Sequence, residues 1–284
     1  MKTTVRVAWL AATAFTAFSS STLAAERIIS AGSSVTELIL ALGAEQQLIG
    51  IDVTSVTPPS LALPKVGYHR QLSAEGLLAL EPTQLLGSNE MGPDTTLNQL
   101  KSAGVDVEVI NSDSTPQGLL QRIDQIASLT HSEAAAGPLK QQVNDALKAL
   151  QAHQPDASAR KKVLFLLIHE GRAANVAGSE TVPDAMITLA GGVNPAATQL
   201  TSYKPLSMEA MVEMQPDVIL VSGRSYDKMG GADAILAAMP MLAATPAGQS
   251  KQIITVDGHA LVGGLGLKSL AEAQRLQALL YPQG

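Results

Sequence analysis

The stretch "RIISAGSSVTELILALGAEQQLIGID", residues 27–52, decides the fold. It begins with a short apolar run, passes through small residues, continues with apolar residues at helical spacing and ends in a second apolar run. The helical spacing is set by Val35, Leu38, Ile39 and Leu42. Gly43 ends the helix, and Ser33 or Ser34 is the expected N-cap. The stretch therefore predicts a strand, a helix and a second strand, the building unit of parallel α/β sheets.

The same alternation continues on both sides of a helical region. Before that region, "TQLLGS", "TTLNQLKSAG" and "VDVEVI" predict strand, helix and strand, and after it "KVLFLLI", "DVILVS" and "QIITVD" predict three more buried strands. Residues 116–159 between them contain two helical patterns and a linker but no strand pattern. We therefore predict two Rossmann-like α/β lobes, residues 25–115 and 160–284, joined by a single long connecting helix.

Residues 1–24 have the pattern of a secretory signal peptide. Lys2 and Arg6 form a basic start, "VAWLAATAFTAF" is a short apolar core, and "TLA" supplies the small residues of a cleavage site. We expect cleavage after Ala24 and export of a soluble chain to the periplasm. Because no cysteine follows the apolar core, no lipid anchor is expected.

Composition narrows the classes of function. The sequence has no cysteine, which excludes disulfides, thiolate metal sites and iron–sulfur clusters. Without Lys2 and Arg6 the chain keeps 17 basic and 25 acidic side chains, a formal net charge of −8. An acidic chain with no basic run is not expected to bind nucleic acid. Aromatic residues make up only 3% of the sequence, so the tyrosines that it does contain are of interest.

One segment of each predicted lobe repeats the other. "LSAEGLLALEPTQLLG" at 72–87 aligns with "LSMEAMVEMQPDVILV" at 206–221, which pairs Glu75 with Glu209 at an offset of 134 residues. One interpretation is local, because serine followed by glutamate is a common helix start in βα units. The other interpretation is that the two glutamates mark one docking position on each lobe.

A second segment, "VGYHRQLSAEG" at 66–76, carries Tyr68 and Arg70 just before the repeated helix. Together with "SAGSSVTELILALG" at 30–43 and "GSNEMGP" at 87–93, it resembles the periplasmic haem-binding proteins of ABC importers. In that class two α/β lobes are joined by one long helix, and the resemblance covers nearly the whole chain after the signal peptide. It implies a carrier that binds haem between the lobes, not an enzyme.

The resemblance implies roles for individual residues. Tyr68 is the expected ligand of ferric haem iron, since a phenolate is a hard oxygen donor that proteins use for haem. Arg70 is expected to support the phenolate; in an extended segment it shares a side with Tyr68, and His69 points the other way. Met91 is expected to cover the macrocycle.

Two further positions of the predicted C-terminal lobe concern the haem. Arg224 and Tyr226 follow the buried strand "DVILV" and are expected to bind the propionates. His169 ends "KVLFLLIH" and has three possible roles: sixth ligand of a single haem, ligand of a second stacked haem, or lining of the cleft. One or two haems per chain are therefore expected.

Partners and competing functions also follow. The resemblance implies delivery to an inner-membrane ABC permease dimer with its ATPase, docked through Glu75 and Glu209, and indirect dependence on an outer-membrane haem receptor. A monomer is expected. The same scaffold could instead hold a ferric siderophore or a corrinoid, whose metals need no protein phenolate. A zinc or manganese site needs converging histidines and carboxylates, and an exported hydrolase needs a nucleophile motif; neither pattern is present.

Overall fold

The structure, a computed structural model, describes residues 26–168 and 173–282. The first of two sheets has four parallel strands in the order β2-β1-β3-β4. Its strands are β1 (Ile28–Ala31), β2 (Leu48–Ile51), β3 (Gln84–Ser88) and β4 (Asp106–Ile110). Its helices are α1 (Ser33–Ala41), α2 (Ala74–Leu78) and α3 (Asp94–Ser102). The predicted parallel α/β alternation of the N-terminal lobe is confirmed.

Two helices without an intervening strand separate the sheets: α4 (Pro116–Leu129) and α5 (Glu133–Ala152). The second sheet has five strands in the order β7-β6-β5-β8-β9. They are β5 (Val163–Leu167), β6 (Asn175–Ala177), β7 (Tyr203–Pro205), β8 (Val218–Ser222) and β9 (Ile253–Val256). The accompanying helices are α6 (Val182–Leu189), α7 (Met208–Glu213), α8 (Gly223–Met229), α9 (Ala232–Ala238), α10 (Pro246–Gln249) and α11 (Leu267–Leu280).

The second sheet is mixed, which the sequence pattern did not indicate. β5, β8 and β9 are parallel, whereas β6 and β7 pair antiparallel at one edge. The two edge strands are only three residues long each, too short to show a period. The boundaries predicted at residues 115 and 159 stay predictions, although the sheets do divide on either side of α4 and α5.

Two helix starts differ from the sequence-based expectation. The N-cap of α1 is Gly32, with φ of 134°, so Ser33 and Ser34 lie inside the first turn and are buried. Helix α5 begins at Glu133 and contains Pro138, although a proline is typical of the first turn of a helix and its position predicts a later start. A proline in this position costs one backbone hydrogen bond, which the burial of Leu139 and Val143 in the core offsets.

Helix α5 packs against both halves of the molecule. Leu139 and Val143 belong to the apolar cluster that contains α1 and α4 residues, whereas Leu150 packs with the β5 residue Phe165. The side-chain amide of Gln277 in α11 donates a hydrogen bond to the carbonyl of Leu150 at 2.9 Å. Within the described residues, no helix is both long and apolar enough to cross a membrane.

Besides α5, the chain passes between the two lobes a second time in the segment 257–267, which returns from β9 to the first lobe. The backbone N–H of Ser34 donates to the carbonyl of Val262 at 3.3 Å, and that of Leu265 donates to Asp113 at 3.3 Å. Gly264 has φ of +90°, and a Cβ atom there would lie 2.3 Å from Nη2 of Arg122. Only glycine therefore fits both the backbone conformation and the close approach.

Arg122 is fully buried at this crossing. Its guanidinium donates to the carbonyls of Leu265 at 2.7 Å and Asp113 at 3.0 Å, and to Oγ of Ser34 at 3.1 Å. Further bonds go to the carbonyl and the side chain of Asn111. Burial lowers the pKa of Arg122 to about 10, which still leaves the guanidinium charged at neutral pH. The residue thus joins α4, α1 and the returning segment.

Glu37 of α1 caps the N-terminus of α11 from outside that helix. Its carboxylate accepts hydrogen bonds from the N–H groups of Leu267 at 2.7 Å and Lys268 at 3.2 Å. Burial raises the pKa of Glu37 to about 7, despite the opposing effect of these two bonds. Since α11 packs with the C-terminal lobe further along, this cap is a contact between the lobes.

We expect Glu37→Gln to change how stability depends on pH. Because the folded-state pKa is raised from 4.5 to about 7, the group's contribution is complete below about pH 4.5 and is lost as the pH rises through about 7. Glutamine cannot ionise, so the difference in unfolding free energy should shift in favour of the variant by up to about 3 kcal/mol as the pH rises between those limits. Urea unfolding at several pH values measures this difference.

The matched control is Glu133→Gln, which changes an exposed glutamate in the first turn of α5. Its unfolding free energy relative to wild type should stay constant over the same pH range. A difference for Glu37→Gln that is equally constant would contradict the burial argument.

Candidate functional site

Polar residues gather at the carboxyl ends of the strands in the first sheet. Asp52 directly follows β2, His69 lies in a 3₁₀ turn at His69–Gln71, and Glu90 follows β3. The carboxyl edge of a parallel sheet is where α/β proteins bind ligands. The structure brings these residues together with Tyr68 and Arg70, and we call the five residues the Tyr68 cluster.

Asp52 is completely buried and fully hydrogen-bonded. Its Oδ2 atom accepts from Nδ1 of His69 at 2.9 Å and from Oγ1 of Thr54 at 2.7 Å, and its Oδ1 atom accepts from Oγ of Ser55 at 2.6 Å. Burial by itself would raise the pKa of Asp52, but the bonds from His69, Ser55 and Thr54 outweigh it and lower the pKa. The carboxylate is therefore held in its charged form.

A row of buried hydroxyl groups connects Asp52 to strand β1 and helix α1. Oγ1 of Thr36 lies 2.7 Å from Oγ of Ser55 and 2.7 Å from Oγ of Ser30. Because Ser55 gives its only proton to the carboxylate, Thr36 must donate to Ser55, and Ser30 must donate to Thr36. The first turn of α1 thus supports Asp52 through hydroxyl groups.

His69 has only 1% of its surface exposed. The bond to Asp52 fixes a proton on Nδ1, whereas Nε2 is buried without a hydrogen-bond partner and lies 3.8 Å from Oε2 of Glu90. Burial alone would lower the pKa of His69, but the carboxylates of Asp52 and Glu90 raise it overall. The pKa of Glu90 is lowered in turn, mainly by its interaction with His69 and to a smaller extent by Arg70.

Tyr68 is exposed, with 40% of its surface accessible, in contrast to the buried His69 next to it. Its ring lies against that of His69 with the centroids 4.4 Å apart and the planes tilted by 57°. Tyr68 and Arg70 are exposed and His69 is buried, but the extended backbone from which their opposite directions were predicted is wrong. Residues 69–71 form a 3₁₀ turn, not an extended segment.

Arg70 has a partner that the sequence did not indicate. Its guanidinium forms a salt bridge with Oε1 of Glu90, and both side chains are about half exposed. Glu90 stands one residue before Met91 in the quoted "GSNEMGP" segment, but nothing in its spacing predicted a contact with residue 70. The pair lies on the solvent side of His69, next to Tyr68.

Two residues of the second lobe approach the cluster. Nδ1 of His259 lies 2.6 Å from the carbonyl oxygen of Thr54. Tyr203 in β7 packs edge-on against Phe165, with ring centroids 6.3 Å apart. Burial raises the pKa of Tyr203 above the usual range of a phenol, the charge of Glu90 raises it further, and Arg70 acts in the opposite direction. Tyr203 is thus within electrostatic reach of the ion pair.

Arg224 and Tyr226 lie at the carboxyl end of β8, on the side that the sequence predicted. They belong to helix α8 and not to a loop, because Ser222 caps that helix through the N–H of Ser225. Arg224 is exposed and Tyr226 is half-buried against the second-lobe core. Among the described residues, no hydrogen bond or salt bridge joins either of them to the Tyr68 cluster.

Met91 lies in the core of the first lobe, with 5% of its surface exposed. It packs with Leu72 and Leu77, and a Cβ atom at Gly87 would be 2.7 Å from its sulfur. This burial is evidence against the expected contact with a macrocycle. His169 lies outside the described residues, so its predicted role has no structural account.

Glu75 and Glu209 occupy equivalent places in α2 and α7. Each is exposed in the first turn, and the helices are capped by Ser73 through Gly76 and by Ser207 through Ala210. Over residues 26–168 and 173–282, neither glutamate takes part in a salt bridge. Their side chains are therefore available to a partner.

In the described parts of the chain, no three histidine, cysteine or acidic residues are grouped so that they could hold a metal ion. Asp52, Glu90, Thr54 and His259 are the polar residues that sequence reasoning missed. Asp52 could have been found, since it directly follows a buried strand at the carboxyl edge. His259 could not, because its contact joins residues 205 positions apart.

Residues 28–260 match the family model described as periplasmic binding protein. Among solved structures, the periplasmic heme-binding protein HutB of Vibrio cholerae is 70% identical, with a TM-score of 0.86 over 90% of this chain and 99% of that one. The periplasmic heme-binding protein BhuT in complex with two hemes is 36% identical, with a TM-score of 0.81 over 91% of this chain and 100% of that one.

A curated relative has a different ligand in its name. The cobalamin-binding protein of Halobacterium salinarum is 27% identical over 238 residues, which is 82% of this chain. The match spans only 63% of the length of that relative.

Proposed function

The chain belongs to the periplasmic binding protein family, and from this premise we propose that it binds haem between its lobes and delivers it to an inner-membrane ABC permease. The observation that carries the proposal is the exposed Tyr68 at the carboxyl edge of the first sheet, backed by buried His69. It stands in a chain 70% identical to a heme-binding protein. Export to the periplasm after removal of residues 1–24 is part of the proposal, and those residues lie outside the described range.

Haem is favoured over a corrinoid by chemistry and by similarity. Ferric iron is a hard cation that accepts a phenolate oxygen, whereas the cobalt of a corrinoid has ligands of its own. The identity to the heme-binding HutB is 70% over 90% of the chain, against 27% over 82% for the cobalamin-binding relative. A corrinoid stays the second candidate because the family scaffold is shared.

Tyr68 is proposed as the iron ligand and Arg70 as its electrostatic support. The exposed phenol can reach a ligand without unfolding of the chain. Arg70 is shared with Glu90, which holds the guanidinium beside Tyr68. A guanidinium has five N–H donors, so Arg70 can keep Glu90 and still donate to a bound group.

The opposite wall of the cleft is proposed to contact the propionates. Arg224 is exposed in the first turn of α8 and Tyr226 follows it by two residues on the same short helix. A guanidinium suits a carboxylate because it can donate two parallel hydrogen bonds. Met91 has no part in this site, given its place in the core.

Helix α5 is proposed as the single long helix that connects the lobes. This role is supported by its apolar residues, which are divided between the clusters of the two lobes, and by the bond from Gln277 to Leu150. The apolar residues of helix α4 pack in the cluster that contains α1 and strands of the first sheet, so α4 is assigned to the first lobe. A connector of this kind limits lobe motion to small rotations about α5 and the segment 257–267.

We expect Tyr68→Phe to keep the fold and to lose the iron–oxygen bond. Hemin titration of wild type should give a ferric Soret band, and the variant should show a shifted spectrum and an affinity lower by at least about tenfold (~1.4 kcal/mol). Tyr281→Phe is the matched control, since its hydroxyl bonds Lys161 and Gly191 far from the cleft. A wild type that ignores hemin and binds cobalamin would favour the second candidate.

The role of His169 is proposed as iron ligation and is tested by stoichiometry. If His169 holds a second haem, His169→Ala should bind one equivalent of hemin where wild type binds two. If it is the sixth ligand of one haem, the variant should change from low spin to high spin at constant stoichiometry. An unchanged titration and spectrum would leave Tyr68 as the sole ligand.

We further propose that Glu75 and Glu209 dock on basic residues of the permease, one glutamate per subunit. Both are exposed and lack salt bridges within the described residues. Glu75→Lys combined with Glu209→Lys should abolish haem uptake while hemin binding stays unchanged, because rim charges guide encounter and register. Glu81→Lys combined with Glu213→Lys, also exposed with one in each lobe, should retain uptake. Equal uptake by both double variants would contradict the docking role.

A further inference from the structure

We infer that His259, Thr54, Asp52 and His69 form a hydrogen-bonded bridge through which the second lobe positions the ring of Tyr68. The inference rests on the proposed function, since it concerns how the proposed iron ligand is held. Each step of the bridge is a contact that the structure contains, and none of the four residues is itself proposed to touch haem.

The bridge begins in the second lobe. His259 lies in the turn Gly258–Leu261 that follows β9, and its own N–H donates to Oδ1 of Asp257 at 2.9 Å. Nδ1 of its ring is 2.6 Å from the carbonyl oxygen of Thr54. A carbonyl oxygen can only accept, so Nδ1 must carry the proton and donate. The contact therefore fixes the tautomer of His259.

Thr54 connects His259 to the Tyr68 cluster, because its carbonyl and its hydroxyl bond different partners. Its carbonyl accepts from His259, and its hydroxyl donates to Oδ2 of Asp52 at 2.7 Å. The same Oδ2 atom accepts from Nδ1 of His69 at 2.9 Å. The ring of His69 then supports that of Tyr68, with the centroids 4.4 Å apart. A shift of the 258–261 turn would thus change the position of the Tyr68 ring through this series of short contacts.

The loop around Thr54 is fastened to the segment that carries Tyr68. The N–H of Val53 donates to the carbonyl of Gly67 at 2.9 Å. The ammonium group of Lys65 reaches the carbonyl of Ser55 and lies 3.5 Å from that of Asp52. The two stretches therefore move together, and the buried Asp52–His69 pair leaves them little freedom. Coupling travels through such contiguous packed and hydrogen-bonded contacts.

The consequence is a link between lobe position and haem retention. With the His259 contact made, Thr54 and Asp52 hold His69 behind the phenol, and Tyr68 is oriented for the iron. A rotation of the lobes about the segment 257–267 would shift His259 relative to Thr54 and weaken this support from one end. Thr54, Asp52, His69 and His259 are positioning residues in this sense, and Tyr68 is the residue that binds.

Three single variants interrupt the bridge at different points. Thr54→Val removes the hydroxyl and keeps the carbonyl, Asp52→Asn keeps the shape and removes the charge, and His259→Phe keeps a ring and removes the donor. The first two change little volume, so they should fold even if a third variant does not. Thr57→Val and His153→Phe are matched controls, since among the described residues the side chain of Thr57 bonds only the carbonyl of Leu61 and that of His153 only the carbonyl of Ala149.

The measurements are the ferric haem spectrum and the rate of hemin transfer to apomyoglobin. Each bridge variant should release hemin between about 2-fold and about 30-fold faster than wild type and shift the spectrum, the range that such couplings produce. In the Tyr68→Phe background the same variants should change the rate by less than about 2-fold, because no ligand is left to position. The two controls should leave rate and spectrum unchanged.

Other results overturn the inference. Bridge variants that accelerate release equally with and without Tyr68→Phe would have a merely structural role. Variants that leave release and spectrum unchanged would show that the bridge positions nothing. A wild type that binds no hemin would overturn the proposed function and the inference together, whereas normal hemin binding with unaffected variants overturns the inference alone.

Discussion

A buried guanidinium is the constraint on which the arrangement of the lobes depends. Arg122 has no exposed surface, so every one of its donors needs an acceptor inside the protein, at a cost of about 1–3 kcal/mol for each one left unpaired. Its acceptors come from residues 111–113, from Ser34 and from Leu265. These elements are far apart in sequence, and satisfying one side chain brings the end of β4, the start of α1 and the segment before α11 together.

Helix α1 connects that constraint to the site. Ser34 and Glu37 face the returning segment, through Arg122 and through the N-terminus of α11. Thr36, between them in sequence, faces the other way and donates to Ser55, which holds Asp52. One turn of helix therefore supports both the crossing between the lobes and the carboxylate behind His69. This explains why the small and polar residues of "SAGSSVTE" are buried even though an apolar face alone would form the helix.

The sequence predicted the elements with a clear period and missed those without one. The strands of the first sheet and helices α1 and α4 follow from runs and spacings of apolar residues. Tyr68 was of interest because aromatic residues are rare, and its proposed role and that of Arg70 come from the resemblance. The antiparallel strands β6 and β7 are too short to show alternation. The pairs Arg70–Glu90, Asp52–His69 and Thr54–His259 depend on tertiary folding, which no local pattern encodes. Met91 was assigned to the cleft from its neighbours in sequence, but apolar packing over Gly87 draws it into the core.

The choice of ligand on this scaffold depends on a few side chains at one edge of the sheet. The fold itself is compatible with relatives named for cobalamin and for haem, so it cannot discriminate between them. Discrimination requires a group that one ligand needs and the other does not, and the exposed phenol of Tyr68 is proposed to be that group for ferric haem. An exposed tyrosine is a flexible ligand unless something holds it. The buried carboxylate of Asp52 fixes the ring of His69 through a directional hydrogen bond, and that ring lies against Tyr68. Apolar side chains behind Tyr68 would not fix its orientation in this way. If Tyr68 binds iron as proposed, the free energy spent on burying Asp52 and His69 orients its one oxygen atom.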